Sequence, residues 1–264
     1  MRRGGRGWIG LVLIAPVALV VVAPFFYMVL RSLVDASGTP RWSEANYRAA
    51  FAAWPFPRFL VNSLVLAGGA AVAQVLTSAT AAYAFARLRF PGRDRVFLAF
   101  LAMLLMPAVV VVVPRFLMID AVGWVDSYAG LLSTELVSVW GIFFLRQYFL
   151  TLPRDLEDAA RLDGAGEWTI FWRVMLPLAK PGLVTLGLLA FVNQWKSFLW
   201  PLVATRSPDM RVLEVALARF HGVYWSNEPI QMAAAVMTTL PLLIVFVVAQ
   251  RYVIRGLPLS GSRS

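Results

Sequence analysis

Six long apolar stretches, at 9–30, 60–85, 96–118, 128–149, 183–204 and 232–254, alternate with shorter polar segments along the chain. Each is close to the ~20 residues an α-helix needs to cross ~30 Å of hydrocarbon. The pattern predicts an all-α, polytopic membrane protein with six transmembrane helices. Prolines interrupt these stretches at Pro16, Pro24, Pro107, Pro114, Pro201 and Pro241. Membrane helices tolerate them where neighbours satisfy the freed carbonyls, so packing kinks are the expectation for most. No internal repeat, long linker or low-complexity segment divides the chain, and a single transmembrane domain over 1–264 is expected.

The segment between the fourth and fifth stretches, 150–182, departs from its surroundings. It contains LEDAARLDGAGEW, in which Glu157, Asp158, Arg161, Asp163 and Glu167 stand among alanines and glycines. Pro153 suits a first helical position, and Asp155, Glu157 and Asp158 complement the helix dipole in the first turns. A short helix over 153–163 is predicted, with Gly164 where a C-terminal glycine cap belongs. A second short helix over 167–175 is expected to stop at Leu176-Pro177 and Pro181. Leu156, Ala159, Ala160 and Asp163 share one face of the first helix, small enough for another surface to dock closely. Its acidic residues argue against a helix lying on anionic lipid headgroups and for a protein partner, whereas Trp168, Phe171 and Trp172 of the second helix suit the membrane interface.

Charge decides which side this segment faces. The chain of 264 residues is 60% hydrophobic and only 14% charged, with 24 Lys+Arg against 14 Asp+Glu. In a soluble protein a net charge of +10 would suggest nucleic acid; here the position of the charges matters more. Fifteen basic residues fall in the N-terminal segment, the loop with Arg87, Arg89, Arg93 and Arg95, the segment from Arg146 to Lys180, and the C-terminal tail. Eight, Arg115 among them, fall in the alternate loops. Both termini and the acidic segment are therefore expected in the cytoplasm. The first stretch is too long for a signal-peptide core and lacks a clean cleavage site, so it reads as a retained anchor. Without cysteine, and with His221 as a lone loop histidine, no metal site is expected.

At this point the residues resemble a known family. Glu157-Asp158-Ala159-Ala160-Arg161-Leu162-Asp163-Gly164-Ala165, followed by Phe171, Leu176-Pro177 and Pro181, is similar to the EAA loop of ABC-importer permeases. The likeness extends through Asn62-Ser63-Leu64, AAYAFARLRFPGR at 81–93, FFLRQYF at 143–149, WKSFLWPLV at 195–203 and QRYVIRG at 250–256, which resemble the shorter, six-span permease of the carbohydrate-uptake subfamily. The resemblance implies a second, homologous permease subunit, two ATP-binding subunits that hydrolyse the ATP, and an extracytoplasmic solute-binding protein. It also implies that the segment is a cytoplasmic helical coupling loop fitting a groove on the ATPase. By position, Glu157, Asp158, Ala159, Ala160, Asp163 and Gly164 become the ATPase-coupling residues. Asp158 stands where the family usually has glutamate, which keeps the charge and shortens its reach.

Polar groups inside a membrane are costly and functional by default, which singles out Asn193, Gln194, Trp195, Lys196 and Trp200 in the fifth stretch as substrate-path candidates. The family typically carries a carboxamide or acidic residue where this chain has Lys196. Three readings of that lysine are open: it donates to solute hydroxyls, it snorkels outward, or it pairs with Glu135 of the fourth stretch. Gln74, Thr77, Ser78 and Thr80 read as hydrogen bonds between helices. No phosphate-binding G-x-x-x-x-G-K-[ST] loop, paired carboxylates or HExxH occurs, so neither catalysis nor a cofactor of this chain's own is expected. The expected function is import of a sugar or related polyhydroxylated solute across the cytoplasmic membrane. A phosphorylated polyol such as glycerol phosphate is the alternative substrate. A stand-alone secondary transporter fits less well, because no inverted repeat or chain of intramembrane carboxylates is present.

Overall fold

The computed structural model describes residues 5–34, 44–223 and 227–256, and among these every regular element is helical. Arg2, Arg3, Arg41 and Arg263, which enter the charge count, lie outside the described residues. The chain divides into two compact units, one formed by residues up to 56 with 216–241, the other by 57–215 with the residues from 242.

The first unit contains α1 (Gly5–Ser32), α2 (Ala45–Ala53) and parts of α13 (Leu213–Val223) and α14 (Glu228–Gly256). The last carbonyls of a helix lack intrahelical partners. Asn46 of α2 supplies them for α1 by donating to the carbonyls of Ser32 at 2.9 Å and Val34 at 2.8 Å. Arg31 and Tyr27 of α1 both bond Glu228, at 2.5 and 2.9 Å, so the start of α14 is tied to the end of α1. His221 lies within α13 and not in a loop; its side chain is outside the described part of the structure.

The second unit is organised around α3 (Phe56–Arg87), whose buried face is lined by Ala67, Ala70, Ala71, Ala79, Ala82 and Ala86. Small side chains let neighbouring helices approach closely where lipid offers no hydrophobic drive for association. One core gathers Tyr83, Leu145, Phe149, Ile170, Phe171, Met175 and Leu186; a second gathers Leu66, Ile119, Leu131, Trp200, Met210 and Val215.

Among the described residues, Ala15–Ser32, α3 and Glu228–Val248 are long and apolar enough to cross a membrane, and two bent helix pairs raise the number of candidate spans to five. The expectation of six uninterrupted helices is corrected at three places. The 96–118 stretch is broken into α4 (Arg93–Ala102), a 3-10 turn and α5 (Ala108–Ala121), with a bend of 102°. Met106 precedes Pro107, whose ring disfavours a helical predecessor, and it is accordingly extended at φ −78°, ψ 123°.

The 128–149 stretch is two helices, α6 (Tyr128–Ser133) and α7 (Val139–Thr151), separated by a non-helical 134–138. Ser138 caps α7 by accepting from the Gly141 N–H at 3.0 Å. The carbonyls freed in the gap are taken up by α3: Gln74 donates to Glu135 O at 2.8 Å, Thr77 to Leu136 O at 2.9 Å and Ser78 to Ser138 O at 3.4 Å. Thr80 bonds only within its own helix. The 183–204 stretch begins early, as α11 (Lys180–Trp195), and α12 (Leu199–Ala204) follows a break at 196–198.

Leucine at position 74 would leave the Glu135 carbonyl without a donor in an apolar setting, at a cost of about 1–3 kcal/mol. A Gln74→Leu variant is expected to lower the thermal-unfolding midpoint of the purified protein, whereas Thr80→Val should leave it nearly unchanged.

Candidate functional site

The acidic segment forms α8 (Asp155–Leu162), shorter than the 153–163 expected because Pro153 and Arg154 precede the first helical residue. Its end is built on Gly164, at φ +84°, a conformation a Cβ would strain. The Ala165 N–H reaches back to Ala160 O at 2.9 Å and the Gly164 N–H to Arg161 O at 3.0 Å, the double closure of a glycine-ended helix.

Beyond it, α9 (Glu167–Ile170) runs through a π turn at Phe171–Met175 into α10 (Leu176–Leu178). Leu176-Pro177 does not stop this helix as expected. Pro177 sits in the first turn of α10, and its missing N–H removes a donor to the preceding turn, which widens into the π form. The chain turns instead at Ala179, and the two flanking helices meet at 76°.

The six coupling candidates do not all face the same way. Glu157 is 2% exposed and pairs with Arg87 Nε, at the end of α3, at 2.9 Å. Burial pushes its carboxyl above the usual carboxylate range, with Arg87 and Arg161 opposing that shift. Asp158, Ala159, Asp163 and Gly164 are exposed, and Ala160 is partly covered. Arg161 joins the two groups, reaching Asp158 at 2.8 Å and Glu167 at 2.8 Å, while Glu167 accepts from the Tyr83 hydroxyl at 2.7 Å. Beside α8, Arg87, Arg154, Glu157 and Arg161 help to line a cleft of about 530 Å³. Leu162, 90% exposed, and Trp168, 67% exposed, leave apolar surface next to the acidic face. Sequence reasoning gave Tyr83, Arg87 and Glu167 no site role: Tyr83 and Arg87 entered it within the 81–93 motif, Arg87 also as a loop arginine, and Glu167 as one acid of the charged segment.

The second polar cluster lies inside the apolar part of the chain. Glu135 pairs with Arg115 of α5 and accepts from Gln194 of α11 at 2.5 Å. Of the three readings of Lys196, the pair with Glu135 is not formed: the Glu135 carboxylate is already held by groups on two other helices. Arg115 also bonds Thr134 at 2.5 Å, and its guanidinium lies 4.1 Å from the centre of the Trp200 ring. Arg115, counted above as a loop charge, sits in the middle of a helix. The signal for this was a single charge inside VVVVVPRFLM.

Of the five path candidates, Gln194, Trp195 and Trp200 are buried, and Trp200 donates to Leu131 O at 3.1 Å. Asn193 and Lys196 are exposed at the end of α11, and the charge of Lys196 acts on Glu214.

Neither cluster presents a nucleophile with an activating base. What they provide is a set of apolar helices whose internal charges are paired, with a short acidic helix seated against them. Residues 8–257 match the family model for the binding-protein-dependent transport system inner membrane component. The chain belongs to that family: it is a multi-pass inner-membrane permease of an ABC transporter and not an enzyme.

Among its relatives, the arabinooligosaccharides transport system permease protein AraQ of Bacillus subtilis (strain 168) is 34% identical over 92% of this chain and 91% of its own length. The sn-glycerol-3-phosphate transport system permease protein UgpE of Yersinia pestis bv. Antiqua (strain Antiqua) is 35% identical over 77% of this chain and 73% of its own. A crystal structure of a bacterial ABC transporter involved in the import of the acidic polysaccharide alginate contains a chain with a TM-score of 0.81 and 26% identity, covering 96% of this chain and 98% of that one.

The Arg115–Glu135 pair is partly buried, and removing one partner strands the other; about 3–5 kcal/mol, the cost for a fully buried pair, is the upper bound. Glu135→Leu alone is expected to reduce the yield and thermal stability of the protein sharply. The double variant Glu135→Leu/Arg115→Met should recover most of the loss, as measured by thermal-shift fluorescence in detergent.

Proposed function

We propose that this chain works as a single transmembrane permease domain that moves a sugar or related polyhydroxylated solute into the cell. It does so paired with a second, homologous permease, seated on two ATP-binding subunits and supplied by an extracytoplasmic solute-binding protein. The observation that carries this reading is α8: a glycine-terminated helix fixed from beneath by Glu157, with Asp158, Ala159, Asp163 and Gly164 turned outward beside an arginine-lined cleft. In this reading both termini and α8 are cytoplasmic, in keeping with the excess of arginine on that side. Six crossings are reached when α4 with α5, α6 with α7, and α11 with α12 each count as one interrupted passage.

The sugar assignment is supported by relatives that carry arabinooligosaccharides and by the structural match to an alginate importer. A phosphorylated polyol is the second reading. It is favoured by the exposed ammonium of Lys196 at the end of α11, a cation suited to a phosphate, and by the glycerol-3-phosphate relatives. In either case the exposure of Asn193 and Lys196 supports a solute contact by these residues of the fifth stretch, and the burial of Gln194, Trp195 and Trp200 supports a packing role.

The decisive experiment is co-purification. The chain should bring down an ATPase whose turnover rises when the binding protein is added, and failure to retain any ATPase would remove the proposal. Asp158→Arg reverses the outward charge, and Gly164→Leu forces a side chain into a left-handed backbone at about 1–2 kcal/mol. Both are expected to abolish uptake of radiolabelled solute while membrane insertion stays normal. Lys196→Met should weaken transport of an anionic solute at least tenfold and leave a neutral sugar within twofold; equal effects on both would argue against a solute contact.

A further inference from the structure

The coupling motif supplies two adjacent carboxylates, and the structure gives them different surroundings. Successive residues of a helix point ~100° apart. The Asp158 side chain is 66% exposed, whereas those of Glu157 and Arg87 are 2% exposed each. A carboxylate buried to that degree, in the lining of the cleft beside α8 and already paired with Arg87, offers little surface to a docking partner.

Its arginine is engaged on two further sides. Arg87 is the last residue of α3, and its Nη2 donates to Phe149 O at 2.6 Å and Leu152 O at 2.7 Å. These carbonyls lie in the final turn of α7 and just beyond it, where helical partners run out. One guanidinium thus joins the ends of α3 and α7 to the first turn of α8. A second brace lies one turn further back on α3, where Tyr83 donates to Glu167, the residue that Arg161 ties to α8. The apolar floor is continuous beneath both braces, with Tyr83, Phe149 and Phe171 in contact as aromatic neighbours.

We infer that Arg87 and Glu157 are positioning residues which mount α8 on the cytoplasmic ends of α3 and α7, so that the docking helix and these two helices move as one body during transport. Glu157 then acts through Arg87 on the membrane helices, and contact with the ATPase is left to Asp158 and its outward neighbours. This rests on the coupling role proposed above for α8.

The native chain has no cysteine, so nitroxide labels can be placed at will. Arg89→Cys and Arg154→Cys, on the loop after α3 and immediately before α8, give a label pair that reports the mount by dipolar EPR on the full transporter in nanodiscs. With Arg87 and Glu157 intact, a single narrow distance is expected, unchanged between nucleotide-free and ATP-bound states. Glu157→Gln should broaden it. ATPase co-purification should stay within twofold of wild type, while uptake and binding-protein-stimulated ATP turnover fall at least tenfold.

Arg87→Lys keeps the charge but gathers its donors on one nitrogen, which cannot stand at both the Nε and the Nη2 position, and it should fall between the two; it carries the test if Glu157→Gln is recovered poorly. The inference is overturned if the distance changes with nucleotide in the intact protein, or if Glu157→Gln leaves uptake and the distance as they were. It is equally overturned if that variant loses the ATPase with the distance unaltered, since Glu157 would then be a docking residue. Failure of the coupling reading itself has a different signature: no ATPase is retained by the wild-type chain.

Discussion

Inside a membrane there is no water to bond a free carbonyl or a lone charge, so each departure from a continuous helix must be satisfied by the protein itself. The second unit is arranged around that constraint. The 134–138 gap is accompanied by Gln74, Thr77 and Ser78, which reach across from α3 to its carbonyls. The charge that the gap exposes, Glu135, is matched by Arg115 and Gln194 from two other helices. Four helical segments meet at this cluster, and the stacking of Arg115 on Trp200 brings in α12 as well. The polar residues of the apolar stretches are thereby accounted for largely as internal partners of one another. Few are left to face solute.

The same economy operates where α3, α7 and α8 meet. Arg87 closes the end of α7 and the foot of α8 with one guanidinium, and Tyr83 with Arg161 closes the next turn through Glu167. A helix of eight residues is too short to be stable alone. Here its geometry is imposed from both ends, by a buried ion pair at the start and by the left-handed Gly164 at the finish. Breaking such a pair by removing one partner is costly, because it leaves an uncompensated buried charge, and the pair thereby holds the helix in one arrangement.

Much of this was legible in the chain itself. Apolar stretches of about twenty residues are a strong signal because hydrocarbon thickness leaves little choice of length. The acidic segment was equally plain, since its glycine cap, first-turn acids and motif residues are local features. Legibility fell where the decisive partner was remote in sequence. Arg115 reads in the sequence as a loop charge, and Lys196 is only one of the partners open to Glu135. Glu157 was grouped with Asp158 because adjacency along the chain cannot tell an inward carboxylate from an outward one. The breaks at Pro107 and 134–138 were hidden for a related reason. An apolar run records that a segment belongs in lipid or core, not that its backbone is continuous.

The sequence by itself thus determined the class of the protein, its helical and membrane-embedded character, and the place and acidic character of the segment between the fourth and fifth stretches. All of these follow from length, periodicity and local chemistry. Only the tertiary structure decided which of two neighbouring carboxylates is buried, which arginine meets which acid, and where an apolar stretch gives up its helix. Those outcomes depend on groups far apart in the chain, such as Tyr83 and Glu167, 84 positions apart in sequence, converging in a medium of low polarity. In such a medium a charge or carbonyl is tolerated only when a partner arrives from elsewhere in the chain.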